Sequence, residues 1–187
     1  MDRIILASAS PRRKQLLEWA EVLFDIIPSD SKELIPDDLP VSEIPVFLAS
    51  QKASIVRKKA GNGKIILAAD TIVVLNDQIL GKPLDRADAI RMLSLLSGSV
   101  HEVITGVALT SDKRDIQFME ITKVRFHHLT QAGIVHYVDT YKPYDKAGAY
   151  AIQEWIGVTG IHSIEGDFYN FMGLPVSRVL QELKLMY

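Results

Sequence analysis

The spacing of apolar residues divides the chain into strands and helices. Apolar runs predict strands at residues 2–7, at Phe24-Asp25-Ile26-Ile27 and at 65–75. The third run is apolar almost throughout and rich in β-branched residues, which is typical of a central strand buried on both faces. Helices are predicted at 42–60 and from Asp85 to a stop at Ser97-Gly98, where apolar residues recur every three or four positions, and also at 11–20 and at 131–139.

Strands become more frequent in the second half of the chain. Two strand-like segments lie near 101–110 and 116–128, and further strands are expected on both sides of the glycine turns from Gly157 to Gly166. Gly173-Leu174-Pro175 is expected to open a C-terminal helix. Because strands and helices alternate early and strands cluster later, the pattern predicts an α/β fold with a mixed sheet. No repeat or linker interrupts it, so we expect one domain over residues 1–187.

The first strand leads into a loop of small residues followed by two arginines. Ser10 is a good N-cap and Pro11 suits the first helical position, so a helix is expected to begin here. Arg12 and Arg13 then lie in the first turn, where the helix dipole disfavours cations unless an anion is bound. The stretch therefore predicts a phosphate site. Ser8 is a candidate hydrogen-bond donor to the same phosphates, whereas Ser10 is expected chiefly to cap the helix.

Asp70 is a charged residue in an otherwise apolar strand. Burial of a lone carboxylate is costly, so its position favours a catalytic base or a metal ligand. A structural alternative stays open, in which Asp70 caps a neighbouring element or pairs with a basic group in the core.

Three lysines are weaker candidates for a functional site than Asp70. Lys52 lies near the centre of the apolar arc of the helix at 42–60, which is compatible with a phosphate ligand or with a lysine that extends to solvent. Lys82, between Gly81 and Pro83, and Lys146 are each typical of ordinary loop lysines when taken alone.

Composition excludes several classes of function. Hydrophobic residues make up 48% and charged residues 24%, with a net charge of −2, so there is no bulk electrostatic case for nucleic-acid binding. The absence of cysteine excludes disulfides and thiolate chemistry. With no apolar run of membrane-spanning length and no export signal in the sequence, we expect a cytoplasmic protein without a membrane partner.

A series of short motifs follows along the chain. They are Leu6-Ala7-Ser8-Ala9-Ser10-Pro11-Arg12-Arg13, Ala69-Asp70-Thr71, Gly81-Lys82-Pro83, Ser97-Gly98 with His101, Thr105-Gly106-Val107, Asp145-Lys146-Ala147-Gly148-Ala149-Tyr150-Ala151-Ile152-Gln153 and Gly173-Leu174-Pro175. In this order and at these spacings they resemble the Maf family over essentially the whole chain.

The resemblance implies a fold and an activity. The fold would be similar to that of the inosine triphosphatase group, with an elongated mixed sheet flanked by helices and two lobes around a cleft. The activity would be that of a nucleoside triphosphate pyrophosphatase, which uses a divalent metal such as Mg²⁺ or Mn²⁺ and has a house-cleaning or division-linked role. A homodimer is left open.

The resemblance also implies roles for individual residues. Asp70 matches the proton acceptor of the family, and Glu33 matches an acidic position that helps to hold the metal, although Lys32 replaces its usual acidic neighbour. Arg12, Thr71 and Gln153 match the branch that acts on dTTP and UTP.

The individual residues and the family resemblance predict the same reaction, hydrolysis of a nucleoside triphosphate. A triphosphate needs several cations, which Arg12, Arg13, Lys52 and Lys82 would supply, while Asp70 activates a water. The amide of Gln153 would pair with the edge of a pyrimidine. The alternative is a nucleotide-binding regulator of septum formation that does not hydrolyse its ligand.

Overall fold

The computed structural model describes residues 3–29 and 34–187 of the chain. Within these ranges seven strands form one mixed sheet in the order β2-β1-β3-β5-β6-β7, and β4 pairs with β3. The strands are β1 Ile4–Leu6, β2 Phe24–Ile26, β3 Ile66–Leu75, β4 Gln78–Leu80, β5 Val100–Thr110, β6 Asp115–Phe126 and β7 Ile161–Glu165. The α/β fold with a mixed sheet is therefore confirmed.

Helices separate most of these strands. They are α1 Pro11–Trp19, α2 Ile44–Ala60, α3 Arg86–Leu96, α4 Gln131–Tyr141, α5 Trp155–Gly160, α6 Phe168–Phe171 and α7 Val176–Lys184, with short 3₁₀ turns at Val41–Glu43 and Ala147–Ala149. No helix in the described part of the chain combines the length and the apolar character that crossing a membrane requires.

Strand direction changes along the sheet. β1 is parallel to β2, with Ile4 opposite Phe24, and it is also parallel to β3, with Ile5 opposite Ile66. β4 and β7 run antiparallel to β3 and β6, respectively. The parallel part is built from β-α-β units, because parallel neighbours require a crossover connection.

The chain forms two compact units. The first comprises Met1–Thr71, Thr105–Glu120 and Tyr169–Tyr187. In its core the small residues of α2 lie against β1, β3 and β5. The approach is close at Gly106 of β5, where a Cβ atom would lie 2.1 Å from the backbone nitrogen of Val46 in α2.

The second unit comprises Ile72–Ile104 and Ile121–Phe168. In it α3 contacts α4 and the turn at Ala147–Ala149. His101 is buried together with Phe126 and Tyr150, and its ring centroid lies 5.4 Å from each of theirs.

Two regions differ from the sequence prediction. Strands were predicted on both sides of the glycine turns from Gly157 to Gly166, but the short helices α5 and α6 lie there, and the strand β7 lies between them. Gly157 lets α5 approach the preceding turn, since a Cβ there would lie 1.9 Å from the carbonyl oxygen of Ile152. The strand β4 was not predicted. It follows a tight turn at Asn76 and Asp77, both with positive φ (49° and 63°), which is the geometry of a two-residue hairpin.

Candidate active site

The strand order of the first unit defines where a ligand can bind. α1 leads from β1 to β2, which pairs with one edge of β1, and α2 leads from β2 to β3, which pairs with the opposite edge of β1. Because such crossovers are right-handed, the two helices cover opposite faces of the sheet. In open α/β sheets ligands bind at the carboxyl ends of the strands where the strand order reverses. That place is the carboxyl end of β1 and β3.

β3 extends beyond β1 at this place. Leu6, the last residue of β1, pairs with Leu67, whereas β3 continues to Leu75. Asp70 and Thr71 therefore lie past the end of β1, beside the loop that leads into α1. Consecutive strand residues point to opposite faces of a sheet, so the side chains of Asp70 and Thr71 lie on opposite faces of β3.

The start of α1 has the predicted capping geometry. Ser10 has an extended backbone, and its hydroxyl accepts a hydrogen bond from the backbone nitrogen of Arg13 at 3.5 Å, while Pro11 is the first helical residue. The expected N-cap role of Ser10 is confirmed. Arg12 and Arg13 are half-buried in a first turn that contains no acidic residue.

Arg13 is fixed by hydrogen bonds to three separate segments. Its Nε donates to the carbonyl oxygen of Gly173 at 2.8 Å, Nη2 to Oγ1 of Thr71 at 3.0 Å, and Nη1 to Oγ of buried Ser8 at 3.3 Å. A guanidinium held at three nitrogens loses little further freedom when an anion binds, so this side chain is preorganised.

Gly173 helps to hold Arg13 through its backbone carbonyl oxygen. Its φ of 108° is disfavoured for residues with a side chain, and a Cβ would lie 3.7 Å from Thr71 Oγ1 and 3.8 Å from Arg13 Nε. The helix predicted after it does begin, at Val176. Its carbonyl bond to Arg13 was not predicted, because the two residues are 160 positions apart.

A buried polar chain supports Thr71 from behind. Its hydroxyl lies 2.9 Å from that of Thr105, which donates to the carbonyl oxygen of Asn170 at 3.3 Å. The Asn170 amide donates to the carbonyl oxygen of Glu120 at 3.2 Å. Thr105 and Asn170 are completely buried, and sequence reasoning missed both as parts of this network. The signal for Thr105 was a hydroxyl within the apolar strand β5.

Asp70 is paired with a lysine on the other face of the strand. Lys52 of α2 places Nζ 2.5 Å from Asp70 Oδ1, and the two side chains are 16% and 15% exposed. Asp70 therefore pairs with a basic group, as the structural alternative predicted, and Lys52 does not simply extend to solvent. Both side chains keep some exposure, so the pair remains within reach of a ligand. Their catalytic and phosphate-binding roles stay predictions.

Lys82 and Gln153 lie in the second unit. Both are exposed. Lys82 follows Gly81, whose carbonyl oxygen accepts a hydrogen bond from the backbone of Gly148 at 3.0 Å. Gln153 lies in a tight turn that is closed by a bond from the Glu154 nitrogen to the Ala151 carbonyl at 3.2 Å.

Lys146 is not the ordinary loop lysine that its sequence context suggested. Its side chain is only 11% exposed and lies 2.8 Å from Asp145 Oδ1 and 3.4 Å from Glu154 Oε1. The long aliphatic stem is buried while the ammonium group is paired, which is what burial of a lysine requires.

His101 is a core residue of this unit. It is 1% exposed, and burial lowers the pKa of its imidazole to about 3, so the ring is neutral at physiological pH. Its Nε2 is hydrogen-bonded to the hydroxyl of Tyr150, whose pKa burial raises well above the ordinary value. The pair therefore carries no charge into the core.

The predicted metal site can be tested only in part. Glu33, one predicted ligand, lies outside the described residues. Among the residues that the structure describes, no three histidine or carboxylate side chains are grouped closely enough to hold a metal ion. Mg²⁺ is commonly held by one or two carboxylates together with substrate phosphates, and the carboxylate of Asp70 is compatible with that mode of binding.

Known proteins resemble this chain over nearly its full length. A dTTP/UTP pyrophosphatase from Cytophaga hutchinsonii is 48% identical over 184 residues, which cover 98% of this chain and 84% of the relative. Proteins of the same name from Bacillus mycoides and Bacteroides fragilis are 48% and 46% identical and are each covered to 95%. This chain is covered to 98% and 97% in the two comparisons.

A solved structure is also similar, although more distantly. It is a nucleoside-triphosphatase, or dITP/XTP pyrophosphatase, from Mycobacterium abscessus, with a TM-score of 0.42 and 14% identity over 68% of this chain and 76% of that one. These values are too low to support an argument about the site. The family model described as Maf-like protein matches residues 3–186. The predicted resemblance is therefore confirmed, and the chain belongs to the Maf family.

Proposed function

We propose that this chain is a nucleoside triphosphate pyrophosphatase that hydrolyses dTTP and UTP to the monophosphate and pyrophosphate. One observation carries the proposal. In the part of β3 that lies past the end of β1, Lys52 is bonded to Asp70 and Arg13 is bonded to the next residue, Thr71. Two cations and one carboxylate are thus gathered on one short segment, as polyphosphate hydrolysis requires. The name dTTP/UTP pyrophosphatase, borne by relatives 44–48% identical, supports the substrate class.

The phosphates are proposed to bind at the N-terminus of α1. The first-turn N–H groups, Arg12 and Arg13 would contact them there, with Ser8 as a further donor. A triphosphate carries about four negative charges, so more cations are needed than this turn provides. Lys52 and Lys82 are proposed to supply them.

Asp70 is proposed to accept a proton from the attacking water. The water oxygen forms a bond to the α-phosphorus, Asp70 takes the proton, and the bond from the α-phosphorus to the bridging oxygen breaks. The ion pair with Lys52 holds the carboxylate in position. When a phosphate oxygen takes over the ammonium group, the carboxylate becomes available as the acceptor. Pyrophosphate then leaves with its charge offset by lysine and arginine side chains.

Mg²⁺ or Mn²⁺ is the proposed cofactor. Asp70 and phosphate oxygens of the substrate would hold it, with Glu33 as the second predicted protein ligand. When bound, the metal would offset negative charge on the phosphates.

Gln153 is proposed to contact the nucleobase. Its amide offers a donor and an acceptor, which suits the two-sided edge of a pyrimidine. Uracil and thymine differ by one methyl group, a difference worth only about 1–3 kcal/mol to a binding pocket. Acceptance of both dTTP and UTP is therefore physically simple. Arg12 and Thr71 are the other proposed determinants of substrate choice.

A nucleotide panel tests the proposal. The protein is incubated with UTP, dTTP, CTP and GTP in the presence of Mg²⁺ or Mn²⁺, and pyrophosphate is measured against orthophosphate. We expect pyrophosphate from UTP and dTTP, and a loss of about 100-fold or more in kcat for Asp70→Asn. Asp77→Asn is the matched control, since Asp77 is an exposed carboxylate in the turn after β3. Near-normal turnover by Asp70→Asn would refute the assignment.

A second function is favoured by the Lys52–Asp70 ion pair. The ion pair gives Asp70 a structural role that needs no catalysis. The same arrangement would therefore suit a regulator that binds a nucleotide without hydrolysing it. The same panel separates the two, because a regulator would bind UTP and release no pyrophosphate.

The proposal treats residues 1–187 as one catalytic domain. It also assigns the protein to the cytoplasm, where the nucleoside triphosphate pool is found. Calorimetric thermal unfolding tests the first part, since a single domain should unfold in one two-state transition, whereas two separate transitions would contradict it.

A further inference from the structure

Glu154 makes an unusual set of contacts for a residue at the start of a helix. It occupies the N-cap position of α5, but its side chain accepts no hydrogen bond from that helix. Instead one carboxylate oxygen accepts a bond from the Tyr137 hydroxyl and the other lies 3.4 Å from Lys146 Nζ. Glutamate is not among the preferred N-cap residues, and here its carboxylate contacts two other segments instead.

The partners of Glu154 come from two different segments and are both buried. Tyr137 belongs to α4 and is fully buried, while Lys146 precedes the turn at Ala147–Ala149 and is also buried. Burial and the bond to Glu154 raise the pKa of the Tyr137 hydroxyl, so it stays protonated and can donate. Two buried donors on separate elements thus fix the position of one carboxylate.

The backbone of Glu154 is fixed as well. Its nitrogen donates to the Ala151 carbonyl at 3.2 Å, and its carbonyl accepts from Gly157 at 2.9 Å and from Val158 at 3.2 Å. Gln153 is the exposed residue immediately before it. A residue bonded at its nitrogen, its carbonyl and both side-chain oxygens leaves its neighbour few backbone conformations.

We propose that Glu154 is a positioning residue for Gln153, so that its contacts with Tyr137 and Lys146 set the selectivity of this enzyme for a pyrimidine base. The inference rests on the proposed function, in which Gln153 contacts the base. A free glutamine amide binds the donor and acceptor groups of different bases with little preference, whereas a fixed amide matches one pattern. Selectivity at an exposed glutamine therefore depends on the residues that hold its turn.

Binding of non-hydrolysable nucleotides tests this inference. Kd values for α,β-methylene UTP and α,β-methylene GTP are measured by calorimetry for the wild-type protein, for Glu154→Gln and for Tyr137→Phe. Glu154→Gln keeps an acceptor for Tyr137 and removes the charge that pairs with Lys146. We expect the preference for the uridine nucleotide to fall about tenfold, with Kd for the guanosine nucleotide nearly unchanged. Tyr137→Phe should act in the same direction.

Two controls separate positioning from general destabilisation. Asp139→Asn breaks the exposed ion pair between Asp139 of α4 and Arg86, and it should change neither Kd. In a double-mutant cycle, Glu154→Gln added to Gln153→Ala should cause no further loss of selectivity, because Glu154 acts through Gln153.

The outcomes are distinct from those for the proposed function. A folded Glu154→Gln variant with unchanged selectivity, or additive losses in the cycle, would overturn the inference. A wild-type protein without any preference for the uridine nucleotide would overturn it too. Absence of pyrophosphate release from UTP would refute the enzyme proposal, and the binding measurements would still decide the role of Glu154.

Discussion

Replacement of Thr71 by valine tests whether the hydrogen bonds around Arg13 serve phosphate binding. Thr71→Val keeps the β-branched shape that suits a strand and removes only the hydroxyl. That hydroxyl accepts from Arg13 Nη2 at 3.0 Å and lies 2.9 Å from the hydroxyl of Thr105. Arg13 keeps its bonds to Gly173 at 2.8 Å and to Ser8 at 3.3 Å.

The size of the effect follows from these contacts. A hydrogen bond to a charged group contributes about 1.5–3 kcal/mol, and the two remaining bonds to Arg13 should retain part of its orientation. We therefore expect a loss of about 1–2 kcal/mol in substrate binding, which is roughly a 5- to 30-fold rise in KM. Because the effect passes through a phosphate ligand, KM should rise by the same factor for the two proposed substrates, UTP and dTTP.

The chain offers a closely matched control. Thr110 Oγ1 accepts a bond from Arg57 Nη1 at 3.0 Å, the same pair of groups at the same distance as in the Arg13–Thr71 contact. Steady-state kinetics of Thr110→Val should show an unchanged KM. Equal KM values for the two variants would refute the role of the Arg13 contacts, and a rise confined to UTP or to dTTP would show instead that Thr71 contacts the base.

Further predictions concern stability and the ion pair. Gly173→Ala, with φ at 108°, should lower the free energy of unfolding by about 1–3 kcal/mol and raise KM for UTP, as measured by denaturant titration and kinetics. Lys52→Met should lower the free energy of unfolding less when Asp70→Asn is also present, since the double variant leaves no unpaired charge. Burial lowers the pKa of His101 to about 3 in the folded protein, whereas the unfolded chain keeps the ordinary pKa of 6.5. Between pH 6.5 and pH 3 the imidazole is therefore protonated in the unfolded chain and neutral in the folded protein. Its contribution to the free energy of unfolding should therefore fall by about 1.4 kcal/mol per pH unit as the pH drops from 6.5 towards 3, and His101→Phe should reduce that slope in pH-dependent denaturant titrations.

The local parts of the site could be predicted because their causes are local. Ser10 caps α1 through a bond to a residue three positions away, and Pro11 fits the first helical position by its fixed φ. Asp70 was found because a charge within an apolar strand is costly unless it is compensated. Each of these signals is contained in a few consecutive residues.

The tertiary parts of the site could not be predicted in the same way. The bond from Arg13 to Gly173 joins residues 160 positions apart, and the Lys52–Asp70 pair exists only because α2 returns to β3. Periodicity placed Lys52 on the apolar face of its helix, but it does not identify the partner that a side chain meets. The hairpin at Asn76-Asp77 is a different case, because residues that tolerate positive φ were visible in the sequence and their turn signal was overlooked.

The lengths of two strands explain why the first unit can bring opposite charges to one place. β1 stops at Leu6, so its chain leaves the sheet as the loop before α1, while β3 continues past it. Beyond the end of β1, the edge of β3 that faced β1 no longer pairs with it, and α1 and α2 deliver Arg13 to one face of this segment and Lys52 to the other. If β1 were four residues longer, its backbone would pair beside Asp70 and Thr71 and separate the two cations from a common ligand. The early end of β1 is therefore a requirement of the site, as is the switch from strand to loop at Ala7-Ser8-Ala9.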